Sequence, residues 1–194
     1  MIFETIVIST NAENQPHIAP FGVRYENDLV VIAPYRPSST LNNLLTTKTA
    51  TLNFTDDVRV FAGAITSNKE NHFRRQWPLL AVEDFHGYRL ANCLAHQELV
   101  LVKVIDDVVR PTLSFKVLNM KNHAPFNGFN RAQAAVIELC VLASRLDRLA
   151  IEKIESEINY LQIAIDKTAG ERELEAWGWL TKYIEDYHNQ NTGK

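Results

Sequence analysis

The sequence predicts an α+β protein, strand-rich at first and helical afterwards. Three observations carry this. Between residues 2 and 118, short runs rich in β-branched residues alternate with polar turn clusters. From Asn130 onward, apolar residues recur at spacings of three and four, the helical period. The two patterns succeed one another instead of interleaving, which argues against a wound parallel sheet. The chain of 194 residues is long enough for one domain with an appendage. The reading places a strand-rich domain at 1–125 and a helical extension at 126–194.

Ile2 to Ser9 is the first expected strand, closed by the polar cluster Asn11 to Pro16. His17 to Tyr25 and Leu29 to Ala33 follow, split by Glu26-Asn27-Asp28, so the start reads as an antiparallel meander. Pro20 places its run at an edge or a bulge. Ser38 to Lys48 reads as a helix, with Leu41, Leu44 and Leu45 on one face and a serine cap. Ala50 to Thr55 is again a strand. Val58 to Ile65 fits helix and strand equally. Ser67-Asn68-Lys69-Glu70 matches a capping box and predicts a short helix through Trp77, before Pro78. Leu79 to Tyr88 reads as irregular, and Leu90 to Val109 as a long β-prone stretch. Thr112 to Leu118 is the last strand, and Asn119 to Asn130 a loop. Asn130 then caps a helix lined by Ala135, Leu139, Leu142, Ala143 and Leu146. Ile151, Ile154, Ile158, Leu161 and Ile165 form an apolar seam suited to antiparallel helix packing. Gly170 interrupts, and Leu174, Trp177, Ile184 and Tyr187 continue a helical face.

Composition excludes several functions. The net charge of −3 and the acidity of residues 150–194 give no chain-wide grip on nucleic acid. No stretch approaches a membrane span. The two cysteines, Cys93 and Cys140, make no framework, and the N-terminus lacks a signal-peptide pattern. A reducing, cytoplasmic setting is therefore expected. GxGxxG, the P-loop, GxSxG and HExxH are all absent, and the six histidines are scattered, so no metal is expected. Cys140 falls on an apolar helical face and reads as a small buried hydrophobe.

The positive signal lies in residues 16–55. A strand ends at Arg36, the hydroxyl residues Ser38, Ser39 and Thr40 follow, and a helix begins. Backbone N–H groups at a helix start favour an anion, and an arginine fork suits phosphate. Simple helix capping explains the same serines, so both readings stand. Asn53 is unusual in a strand and must be hydrogen-bonded to something specific. Phe21 and Phe54 fit a core as readily as a ligand. Asn122, His123, Asn130 and Arg131 flank a loop and could close a site, although a solvated loop with a cap is the simpler reading.

These residues carry a resemblance. The motifs Phe3-Glu4-Thr5-Ile6-Val7, Pro16 to Val23, Arg36-Pro37-Ser38-Ser39-Thr40 with Asn43-Leu44, Leu52 to Asp57, and the helix Arg131 to Leu146 recur in order over nearly the whole chain. Together they resemble a family of FMN-binding split-barrel proteins with a C-terminal helical extension, within the flavin-reductase-like superfamily. The resemblance implies an antiparallel Greek-key split barrel followed by a helical hairpin or bundle. It implies FMN at the interface of a homodimer, with its phosphate held by Arg36, Ser38, Ser39 and Thr40. Asn53, Phe54 and Thr55 would run beside the ribityl chain, and Pro20, Phe21 and Gly22 along the flavin ring. His17, at the start of that strand, would reach solvent or substrate. The implied activity is an FMN-dependent oxidoreductase with a small-molecule electron donor or substrate, a nicotinamide among the candidates. The alternative is a non-catalytic flavin-binding protein or a scaffold acting through its helices. No catalytic side chain is assigned.

Overall fold

Six apolar runs close on one another in a computed structural model that describes residues 1–67 and 75–191. The helix expected from Ser67 to Trp77 falls on residues 68–74, outside the described residues. The strands are β1 (Phe3–Thr10), β2 (Pro16–Glu26), β3 (Leu29–Ile32), β4 (Thr49–Phe54), β7 (Ala95–Ile105) and β8 (Thr112–Asn122), in a closed barrel of order β1-β2-β3-β8-β7-β4. β4 returns beside β1 after three hairpin-linked strands, which is the Greek-key order. The expected antiparallel Greek-key barrel is thus present. The β2–β3 turn is set by Asn27 and Asp28, both at positive φ, where Asn and Asp are tolerated best. Along Pro16–Val23, β2 pairs with β1 alone, so Pro20 costs no ladder bond on a second side.

The helix α1 (Ser39–Thr47) connects β3 to β4. It starts at Ser38, whose hydroxyl accepts from the Leu41 N–H, and ends at Lys48 in the left-handed region. Its buried face sends Leu41 and Leu44 into the barrel core of Val7, Val23, Val30, Ile32, Leu52, Leu99, Leu113 and Phe115. Alternation decides the other face: Leu52 points into this core while Thr51 and Asn53 point away.

Two elements differ from the sequence reading. The stretch read as irregular holds a short hairpin, β5 (Leu79–Ala81) and β6 (Tyr88–Leu90). It is tied to β4, since the Thr51 hydroxyl donates to Tyr88 O and the Leu90 N–H donates to Asn53 Oδ1. These long-range bonds leave no local pattern. The loop read from Asn119 begins late, because β8 continues to Asn122 through pairing with Ala95 to Glu98.

The chain divides into two compact units, Met1–Thr55 with Trp77–Phe126, and Asp56–Gln76 with Asn127–Lys194. The helical unit thus takes in a segment from inside the first 125 residues. Val58–Ile65, ambiguous in sequence, is helix α2 (Arg59–Ile65) there. It packs with α3 (Arg131–Ala143), and α3 packs with α4 (Ile151–Thr168) and α5 (Glu171–Asn191). Asn130 caps α3 by accepting from the Ala132 and Gln133 N–H groups. Gly170 N–H donates to Glu173 Oε2, as a capping box requires. Ile154, Ile165, Leu139, Trp177, Leu180 and Ile184 fill the interior. Among the described residues, no helix is long and apolar enough to cross a membrane.

Candidate functional site

The barrel register aligns residues distant in sequence. Pro20 pairs with Ile6, Ile6 with Asn53, Asn53 with His96, and His96 with Lys121. One row therefore crosses β2, β1, β4, β7 and β8. Beside it, Phe54 pairs with Ala95 and Ala95 with Asn122. Phe21, on β2, is separated from β4 by β1 alone, roughly 10 Å at the usual strand spacing.

At this level the barrel rim opens into a groove of about 750 Å³, within the size range of small-molecule sites. Phe54, Leu94, Met120, Pro125 and Phe126 supply apolar surface, and Asn122 and His123 a polar edge. The rim is held by backbone bonds: Leu94 N–H donates to Phe54 O, and the N–H groups of His123 and Ala124 both donate to Leu94 O.

Behind the groove a buried histidine meets an exposed one. His96 is 1% exposed, and its Nδ1 is 2.8 Å from Nε2 of His123, with the rings nearly parallel. Its Nε2 lies 3.6 Å from Glu98 Oε1, too long for a hydrogen bond. Glu98 Oε1 accepts from Asn119 Nδ2. Burial, and then the charges of His123, Arg89 and Lys121, push His96 down to about 4. Burial, Arg89 and Lys121 lower His123 as well. The cysteines take no part. Burial pushes the Cys140 thiol up to about 12 and raises Cys93.

The residues nominated from the sequence divide into several groups. Phe54 lines the groove. Pro20 and Phe21 lie two strands from it. A Cβ on Gly22 would come within 2.8 Å of Ile2 Cγ2. Arg36 is half-exposed and paired within the chain. It donates through Nη2 to Asp106 at 2.7 Å and through Nε to Asp107 O. Ser38 is used as the α1 cap, Thr40 is buried, and Ser39 is exposed at the helix start, where no acidic residue occupies the first turn. Thr55 follows Phe54 at the end of β4 and His17 pairs with Ser9; neither lines the groove. Arg36 and its partner Asp106 lie beyond one end of the eleven-residue strand β7, and the groove lies at the other. The separation is roughly 30 Å at ~3.3 Å per residue.

Asn53 is fully engaged inside the protein. Its Nδ2 donates to Thr51 Oγ1 at 2.9 Å, and its Oδ1 accepts from Leu90 N–H at 2.9 Å. The asparagine that looked anomalous in a strand fastens the β5–β6 hairpin to the barrel. Asn53→Ala strands the buried Leu90 N–H and is expected to cost about 2 kcal/mol. The check is a lower urea midpoint at unchanged slope; an unaltered midpoint would deny the fastening role.

Sequence reasoning missed the groove because Leu94, Ala95, Met120 and Ala124 carry no chemical signal of their own. Only pairing of β4 with β7 and of β7 with β8 assembles them.

The fold and the groove define the class: an antiparallel split barrel with a helical unit, the architecture of FMN-binding split-barrel proteins. The chain belongs to the family described as protein of unknown function (DUF447). The model of that family's N-terminal domain matches residues 3–124, and a second DUF447 model matches residues 130–182. Among solved structures, the FMN-bound DUF447 protein of Methanosarcina mazei is similar over 94% of each chain, with TM-score 0.77 and 19% identity. The 2-nitrobenzoate 2-nitroreductase of Pseudomonas fluorescens is similar over 62% of this chain and 64% of that one, with TM-score 0.53 and 21% identity. An FMN-binding protein of Thermus thermophilus, solved with 1-cyclohex-2-enone bound, is similar over 63% of this chain and 71% of that one, at TM-score 0.53 and 15% identity. No curated protein sequence matches the chain.

Proposed function

We propose that this chain is an FMN-binding flavoprotein, a homodimer that catalyses an oxidoreductase reaction in the cytoplasm. The observation that carries the reading is the match in fold, over nearly the full length of both chains, to an FMN-bound member of the same family. The rim groove adds to it, since its apolar walls and polar edge suit a flavin ring. Bound FMN would supply hydride chemistry, and the protein would supply anchoring, orientation and access. Phe54 and the β8 end would hold the ring, with Pro20, Phe21 and Gly22 on the neighbouring wall. Arg36, Ser39 and the first N–H groups of α1 suit the phosphate. The groove and the Arg36 segment lie at opposite ends of β7, an arrangement that suits a cofactor shared between two protomers. A small-molecule electron donor or substrate, with a nicotinamide among the candidates, would reach the open side. Neither nucleic acid nor membrane is an expected partner.

The test is a visible spectrum of the purified protein, identification of released flavin, and titration with FMN. Phe54→Ala is expected to weaken FMN binding by removing an apolar wall of the groove; Arg36→Ala with Ser39→Ala is expected to weaken it tenfold or more, because a charged phosphate contact is worth ~1.5–3 kcal/mol. The second variant also frees Asp106, so its fold must be verified by unfolding. A colourless protein that ignores added FMN would overturn the reading. Bound flavin that is never reduced by NADH or NADPH would leave a binding protein without turnover.

A further inference from the structure

Among the described residues, one buried side-chain nitrogen lacks a hydrogen-bond partner: Nε2 of His96. Buried polar atoms are rarely left this way, and each case calls for an explanation. The atom faces the Glu98 carboxylate at 3.6 Å, while Nδ1 on the other side of the ring meets His123 at 2.8 Å.

The tautomers follow from these contacts. A neutral imidazole has one N–H and one bare nitrogen. A hydrogen on His96 Nδ1 would leave a bare Nε2 facing a carboxylate, lone pair against negative charge. A hydrogen on Nε2 faces the carboxylate favourably. His96 Nδ1 is then bare and accepts from His123 Nε2–H. His123 in turn is left with a bare Nδ1, and its exposed ring lines the groove. The chain runs from Glu98 through His96 to His123. A buried carboxylate that orients one imidazole and offsets a charge developing beyond it is the logic of acid–histidine pairs in catalysis.

We propose that His123 is the proton acceptor of the groove, held in its accepting tautomer by the positioning residues His96 and Glu98. Its partner is a flat ligand that presents an O–H or N–H group. The proposal rests on the flavin reading above and names its substrate class: a hydride donor that must also lose a proton, such as an alcohol, an amine or a dihydro-heterocycle. The balance is complete. The C–H bond breaks and its electron pair leaves as hydride to oxidised FMN. The O–H or N–H bond breaks, its pair forms the new C=O or C=N bond, and the proton goes to Nδ1 of His123.

Charged and polar groups of both signs surround the pair. Asn53 faces His96 from β4, Arg89 from β6, Glu98 from β7 and Lys121 from β8. The cations and burial keep both rings neutral at neutral pH, so His123 rests with a lone pair available. Glu98 is the carboxylate in contact with the pair and the counter-charge for the imidazolium that forms.

The test uses full-length protein labelled with ¹⁵N-histidine and long-range ¹H–¹⁵N correlation spectra against pH. Both His96 and His123 are expected as the Nε2–H tautomer. Glu98→Gln is expected to move the His123 titration down by at least about half a unit, the effect of losing a nearby negative charge. His96 with its hydrogen on Nδ1, or a His123 titration unmoved by Glu98→Gln, would overturn the relay. Should that variant fail to fold, Glu98→Asp serves, with the same shift expected in part. FMN is then added as the probe. Bound FMN that leaves the His123 resonances unmoved would remove His123 from the site. Absence of FMN binding would overturn the flavin reading, and the tautomers report on the relay separately.

Discussion

Phe115→Ala is expected to destabilise the barrel by about 3–5 kcal/mol, the usual cost of deleting a buried phenyl ring. Phe115 is fully buried on β8, where it pairs with Val30 on β3 and Leu101 on β7. The ring packs in the cluster that includes Leu41 and Leu44 of α1, so its loss leaves a cavity bounded by backbone ladders that relax little. Urea unfolding should show a lower midpoint at constant slope. A change below about 1 kcal/mol would mean that the core collapses around the gap. Since the groove lies at the rim, FMN affinity measured well below the unfolding transition is expected to survive the substitution.

The second large effect comes with acid. His96 is pushed from 6.5 to about 4 in the folded protein. Above pH 6.5 the imidazole is neutral whether folded or unfolded, and its contribution to pH dependence is nil. As pH falls from 6.5 toward about 4, the unfolded chain takes up the proton first, so stability is lost through this window. Below about 4 both states are protonated and the loss is complete, about 3 kcal/mol at 1.36 kcal/mol per unit. His96→Gln has no proton to take up. Its stability should decline less steeply than that of the wild type between pH 6.5 and 4, and parallel curves would show that His96 does not titrate there.

The strand and helix periods were readable because they are local. Asn27-Asp28 sets a turn, Ser38 and Asn130 cap helices, and the apolar face from Ala135 to Leu146 declares itself within a few turns. The resemblance located the family and the implied cofactor in the same motifs. At single residues the fold shows partners that the sequence does not. Asn53 was rightly singled out as needing a partner, but the partner is the N–H of Leu90, thirty-seven positions away. Arg36 was rightly read as seeking an anion, but it is engaged by Asp106, seventy positions away. A Cβ on Gly22 would meet Ile2 Cγ2 at 2.8 Å, a contact twenty positions away that the sequence does not announce.

What the sequence by itself determined is that strands precede helices, where the β2–β3 turn falls, and where α1 and α3 begin. Dihedral preference, capping and hydrophobic period act over a few residues and need no knowledge of the rest of the chain. What only the tertiary structure decided is the site. Closure of the barrel set Phe54 beside Ala95 and Ala95 beside Asn122. The same pairing brought His123 onto a buried His96 with Glu98 behind it. Register between distant strands is a collective result of core packing, so no short stretch of sequence encodes which side chains will meet.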